Sequence, residues 1–204
     1  SLGGMMIGAY LAGSDSPNVR AAVLISSPYE FHKSNRLFEF VAKYPRLSLT
    51  LSRFPYEDML RTLSPFVGKL TPQRGLGYAE GTIDGRILRE FARTGVEKPP
   101  KELVLDFTRF IANGCICGED GTPYFDDVAR IKVSLLVLVG SKDELAPPET
   151  VRPWYKLSGS KDKDFVLVSR ANGFSTDAGH GDILVGRYAA DEIYPMIARW
   201  LKER

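Results

Sequence analysis

Hydrophobic positions along the chain follow two rhythms, and each predicts a different kind of element. Short unbroken apolar runs at Ala21–Ile25, Leu135–Val139 (within Val133 to Val139) and Phe165–Val168 are bounded by polar or turn-forming residues, which predicts buried strands. Apolar residues spaced three and four apart predict helices. One such stripe is Ile83, Ile87, Leu88 and Phe91; a second is Leu103, Val104, Phe107, Phe110 and Ile111, with Pro99 and Pro100 between the two as a breaker. A third, Ile193, Met196, Ile197, Trp200 and Leu201, has Arg199, Lys202, Glu203 and Arg204 on its other side and predicts a terminal amphipathic helix. The small-residue apolar stretch Met5 to Ala12 predicts an opening helix, closed by the turn at Asp15–Asn18. Pro148 to Leu157 predicts another, with proline near its start, where the missing N–H costs little.

At both ends of the chain, strand and helix alternate at the spacing that a parallel sheet requires. The middle does not continue the alternation. Residues 29–127 therefore read as a helical insertion between two parts of one α/β core, 1–28 and 128–204. The stretch from Phe38 to Phe66, rich in aromatics, leucine and proline, is expected to hold one or two further helices. An insertion of this kind is expected to cap the site and line an apolar pocket.

Three segments carry candidate chemistry. The chain opens Ser1-Leu2-Gly3-Gly4 and enters a helix at once, which matches the rear half of a turn that holds a serine between strand and helix among small neighbours. The second strand run empties into Gly140-Ser141-Lys142-Asp143-Glu144-Leu145-Ala146-Pro147, which puts Asp143 at the carboxyl end of a buried strand, the site side of an open α/β sheet. After the third run comes Gly179-His180-Gly181. The order is serine, aspartate, histidine.

That order in those contexts resembles the α/β-hydrolase family. The resemblance covers most of the chain outside its middle third. It implies an α/β fold with a mostly parallel sheet, a nucleophile at Ser1, an orienting acid at Asp143 and a general base at His180. It also implies an oxyanion donor at the Leu2 backbone N–H, and no metal or other cofactor. More loosely, the C-terminal third is similar to bacterial hydrolases related to polyhydroxyalkanoate synthases; those synthases carry cysteine where this chain has Ser1. Because the family places several strands ahead of the nucleophile, the 204 residues read as the C-terminal portion of the fold, with its N-terminal half missing.

Other residues compete for these roles. Asp177, Asp182 and Glu144 are alternative acids, and Asp182 is expected instead to cap a following helix. His32 reads as a surface or hinge residue of the insertion. Gly75 to Gly81 lacks the preceding strand and following Lys-Ser/Thr of a phosphate loop, and Glu119 to Pro123 reads as a turn rather than a calcium loop. Cys115 and Cys117 do not have zinc spacing and read as half-buried thiols in a reducing compartment, so the expected location is cytoplasmic.

A hydrophobic content of 44% is ordinary for a globular domain. The net charge of +2, without a Lys/Arg-rich run, gives no electrostatic basis for nucleic-acid binding, and no stretch of about twenty apolar residues predicts a membrane span. The expected function is hydrolysis of a small-molecule ester or thioester of an apolar acyl group through an acyl-enzyme. The alternatives are an acyltransferase of the same fold, an enzyme whose base is the α-amine of Ser1, and a non-catalytic binding protein. The 204 residues alone are expected to be inactive and to associate through an uncovered sheet edge. Light scattering and thermal melting of that piece check this: a monodisperse, cooperatively melting sample would contradict it.

Overall fold

The three apolar runs form three parallel strands, β1 (Ala21–Ile25), β2 (Ser134–Gly140) and β3 (Lys163–Val168), in the order β1-β2-β3. The computed structural model describes residues 1–14, 18–31, 40, 42–52, 55–67, 77–124 and 127–204. Register pairs Ala22 with Leu135 and Leu138 with Val166. The central strand is covered on both faces, which is why its sequence is apolar without alternation. Leu135, Val137 and Val139 join one core cluster and Leu138 joins another.

The first cluster lies under α1 (Leu2–Gly13) and α6 (Pro148–Leu157), and includes Met5, Leu11, Val151 and Trp154. The second lies under α7 (Asp182–Val185), a π turn at Ala189–Ile193 and α8 (Tyr194–Lys202), with Ile183, Ile193, Met196 and Ile197. The sheet is thus the middle of three layers. Between β1 and β2 run α2 (Pro45–Ser52), α3 (Tyr56–Leu63), α4 (Gly85–Thr94) and α5 (Lys101–Asn113). A third cluster of Val67, Tyr78, Ile83, Leu88 and Ala92 belongs to this region and meets the core at Val185.

Boundaries depart from the periodic reading where a local group decides them. Ile83 is buried but precedes α4, because the Asp84 carboxylate accepts the Arg86 N–H and starts the helix at Gly85. Ile193 lies in the π turn rather than in α8, next to Pro195, which has no N–H to continue a regular ladder. β3 begins at Lys163, where edge-strand exposure permits charged residues. The far end of the chain is tied to this edge: the Trp200 indole N–H donates to Asp164 at 2.7 Å and Arg204 pairs with Asp162.

The opening helix sits unusually close to the sheet and its neighbours. A methyl group at Gly4 would overlap the Ser27 side chain, and one at Gly8 would overlap the Trp154 ring. Trp154 is fully buried, and its indole N–H donates to the Ser27 carbonyl at 3.1 Å. Ser27 reaches this position because Ser26, at the end of β1, takes a positive φ of 47° that turns the chain sharply. Such a conformation in a residue other than glycine costs about 1–3 kcal/mol.

These contacts set a sign. Alanine in a helix interior gains about 1 kcal/mol over glycine, whereas overpacking a rigid core costs about 1–3 kcal/mol. Gly8→Ala is therefore expected to lower stability, because the ring it meets is pinned by its own hydrogen bond. Urea denaturation checks this: the midpoint should fall with the slope unchanged.

Candidate active site

The acid loop and the histidine loop meet where β2 and β3 end. Gly140, the last residue of β2, faces the backbone of Ala178 and Gly179 so closely that a Cβ there would overlap their carbonyls. Lys142 N–H donates to the Ala178 carbonyl at 2.8 Å, and Ser141 N–H to that of Val168 at 3.1 Å. This backbone seam carries Asp143 and His180 toward each other.

Asp143 is 3% exposed. Its Oδ1 accepts the N–H groups of Leu145 and Ala146 at 3.0 and 2.7 Å, and the carboxylate lies 2.9–3.0 Å from Nδ1 of His180. An ionised carboxylate only accepts, so Nδ1 of the neutral imidazole carries the proton and Nε2 keeps its lone pair. The His180 side chain remains 20% exposed.

Ser1 is the N-cap residue of α1 and is exposed; its carbonyl accepts from Gly4 and Met5, and its side chain makes no capping bond. Leu2 occupies the first helical position, where a backbone N–H has no partner within the helix. The structure thus brings Asp143 and His180 into contact. Among the described residues, no hydrogen bond joins the Ser1 hydroxyl to His180.

The other candidates separate cleanly. Asp177 accepts the Arg170 N–H at 3.0 Å and faces the Ser141 hydroxyl, so it braces a turn. Glu144 is exposed beside the pair. His32 lies outside the described residues, as do Gly75 and Leu76. Asp182 does not cap a helix: its Oδ2 accepts the N–H of Gly179 at 2.6 Å and that of Ala79 at 2.9 Å. The carboxylate is instead taken by one N–H three residues before it and by another 103 positions away. Glu119 to Pro123 is a turn, held by the Thr122 N–H on Asp120 and by Gly121 at φ 80°. Cys117 is buried and Cys115 half-buried, with burial and the neighbouring Cys117 raising the Cys115 thiol.

Tyr78 and Ala79 form a part of the site that periodicity does not reveal. A Cβ on Gly181 would strike the Tyr78 ring, and one on Gly179 would lie 2.7 Å from the Ala79 nitrogen. The two glycines beside His180 were the available signal: they exist because another segment of backbone presses on the histidine loop. Burial, with the charge of Asp182, pushes the Tyr78 phenol above its ordinary range. Next to this contact is a cleft of about 310 Å³, lined mainly by polar and charged residues including Glu80, Lys142, Glu144 and Arg170. Among the described residues, no group of three or more His, Cys, Asp and Glu side chains is placed to hold a metal, and no helix is long and apolar enough to cross a membrane.

No protein-family profile matches the sequence, and no curated protein matches it. Solved structures do. The chain is similar to an enol-lactonase from Burkholderia xenovorans, at 16% identity and a TM-score of 0.57, covering 99% of this chain and 63% of that one. It is similar to a monoacylglycerol lipase from Paleococcus ferrophilus, at 20% identity and a TM-score of 0.56, covering 98% and 65%. It is also similar to an α/β-hydrolase fold protein from Chitinophaga pinensis, at 15% identity and a TM-score of 0.51, covering 98% and 62%. The chain spans less than two thirds of the length of these proteins. Its parallel sheet and flanking helices have the α/β-hydrolase fold.

The bonds around Asp143 make a stability prediction. Asp143→Ala removes the acceptor for two backbone N–H groups and for His180 Nδ1, at about 1–3 kcal/mol for each buried donor left unpaired. Asp143→Asn keeps a carbonyl oxygen in place. The alanine variant should therefore unfold at lower urea than the asparagine variant. Equal midpoints would show that the carboxylate does not hold its loop.

Proposed function

We propose that this chain carries the catalytic groups of a serine hydrolase that cleaves an ester or thioester through an acyl-enzyme. The observation that carries the reading is the buried Asp143 carboxylate on Nδ1 of His180, in the loops that follow β2 and β3. The fold adds support, since similar structures are named as an enol-lactonase and a monoacylglycerol lipase.

In this reading Nε2 of His180 takes the proton of the Ser1 hydroxyl as the oxygen attacks the substrate carbonyl. Asp143 holds the ring in that tautomer and stabilises the imidazolium that forms. The Leu2 N–H donates to the developing oxyanion. The imidazolium then gives its proton to the leaving alcohol or thiol as the carbonyl re-forms. Water, deprotonated by the same nitrogen, attacks the acyl-Ser1 ester; the imidazolium returns the proton to the Ser1 oxygen as the carboxylic acid is released. Transfer to an alcohol or thiol instead of water is the acyltransferase variant of the same chemistry.

Residues 29–127 form the cap in this proposal, and its exposed apolar side chains, among them Phe40, Leu47, Met59, Leu63 and Phe66, support an apolar acyl group. The polar cleft lined by Tyr78, Glu80, Lys142 and Glu144 suits the leaving-group side of the substrate.

Ser1→Ala in the full-length protein is expected to abolish labelling by a fluorophosphonate probe. Asp143→Asn and His180→Ala should each lower turnover of a p-nitrophenyl ester about ten-thousandfold, as in other triads. Labelling that persists in Ser1→Ala removes the mechanism, and activity that survives His180→Ala removes His180 as the base.

A further inference from the structure

His180 is held from two sides, and only one belongs to the triad chemistry. Asp143 sets the ring. The backbone that carries the ring is set by Asp182, which lies two residues further along, is 3% exposed and makes no contact with the imidazole among the bonds of the site. Its Oδ2 takes the N–H of Gly179, the residue immediately before His180, at 2.6 Å, and the same oxygen takes the N–H of Ala79 at 2.9 Å. One carboxylate oxygen therefore staples the histidine loop to a segment that departs from the sheet at β1 and returns only at β2.

Two further backbone bonds run along the same seam: Gly181 N–H to the Gly77 carbonyl at 3.1 Å, and Arg187 N–H to that of Thr82 at 2.8 Å. The segment is close enough that a Cβ on Gly77 would sit 3.7 Å from the His180 Cβ. A buried carboxylate persists only where donors meet it, and here both donors fall on one oxygen. The second oxygen, Oδ1, is buried without a partner. At the same seam the Tyr78 ring lies so close to Gly181 that a Cβ there would strike it.

We propose that Asp182 is a positioning residue for His180, and that through it the seating of the 77–82 segment sets where Nε2 points. This rests on the assignment of His180 as general base. When the segment is seated, the base is aligned; when it lifts, the Ala79 N–H leaves Asp182 and the histidine loop loses its tie to the segment. The inserted helical region then acts on the rate of the chemical step as well as on substrate binding.

The test compares Asp182→Ala, Asp182→Asn and Ser1→Ala in the full-length protein, with a p-nitrophenyl ester as probe. Asp182→Ala should lower kcat roughly a hundredfold, the loss expected from misplacing a reacting group by about 1 Å, with KM changed far less. Asp182→Asn, whose amide oxygen accepts the same two N–H groups, should recover most of that loss. Amide hydrogen exchange should quicken at Ala79 and Gly179 together in the alanine variant. Folding is read by near-ultraviolet circular dichroism; if the alanine variant does not fold, the asparagine variant and the exchange of the two amides decide. Unchanged kcat in folded Asp182→Ala, or exchange that quickens at one amide only, overturns the proposal. Activity that survives Ser1→Ala overturns the functional reading instead, so the two failures are told apart.

Discussion

A single buried charge organises the strand ends. The Asp143 carboxylate has left water almost entirely, and a group of that kind persists only where donors surround it. Two of its donors come from its own loop, which fixes the turn between β2 and α6, and the third comes from His180. The loop after β3 must therefore lie against the loop after β2, and the seam of Gly140 on Ala178 is how the backbone permits it. Tautomer, ring orientation and loop path all follow from satisfying one group.

The opening helix is placed by a different constraint, that of space. Gly4 and Gly8 let the helix come down onto Ser27 and Trp154, and Trp154 is in turn locked by its bond to the Ser27 carbonyl. The strained turn at Ser26 is what delivers Ser27 to that point. Position along the helix axis is thereby set by hard contacts rather than by polar ones, and Ser1 is carried at the tip. Electrostatics fixes the acid and histidine loops, and packing fixes the opening helix.

What was legible in the sequence follows this division. β2 is enclosed on both faces and so announced itself as an unbroken apolar run, and α6 was bounded correctly by its prolines and its polar flank. The start of β3 was missed because Lys163 and Asp164 lie on an edge where charge is tolerated. The residues Asp143 and His180 were found from loop context, and the contact between them is a matter of tertiary structure. The role of Asp182 differs from the expected cap because one of its two partners lies 103 positions away, beyond the reach of a local pattern. Ser26 and Trp154 carry no one-dimensional signature, since a strained turn and a filled slot are properties of the assembled core.

The Tyr78 ring against Gly181 puts two distant positions under one steric constraint. A lineage that retains an aromatic at position 78 has no freedom to add even a methyl group at position 181, while a lineage that shrinks residue 78 opens a void that a larger side chain there would fill. The two sites should drift as a pair, and the glycine beside the histidine would then record the bulk of a neighbour from the inserted region as much as any demand of the chemistry.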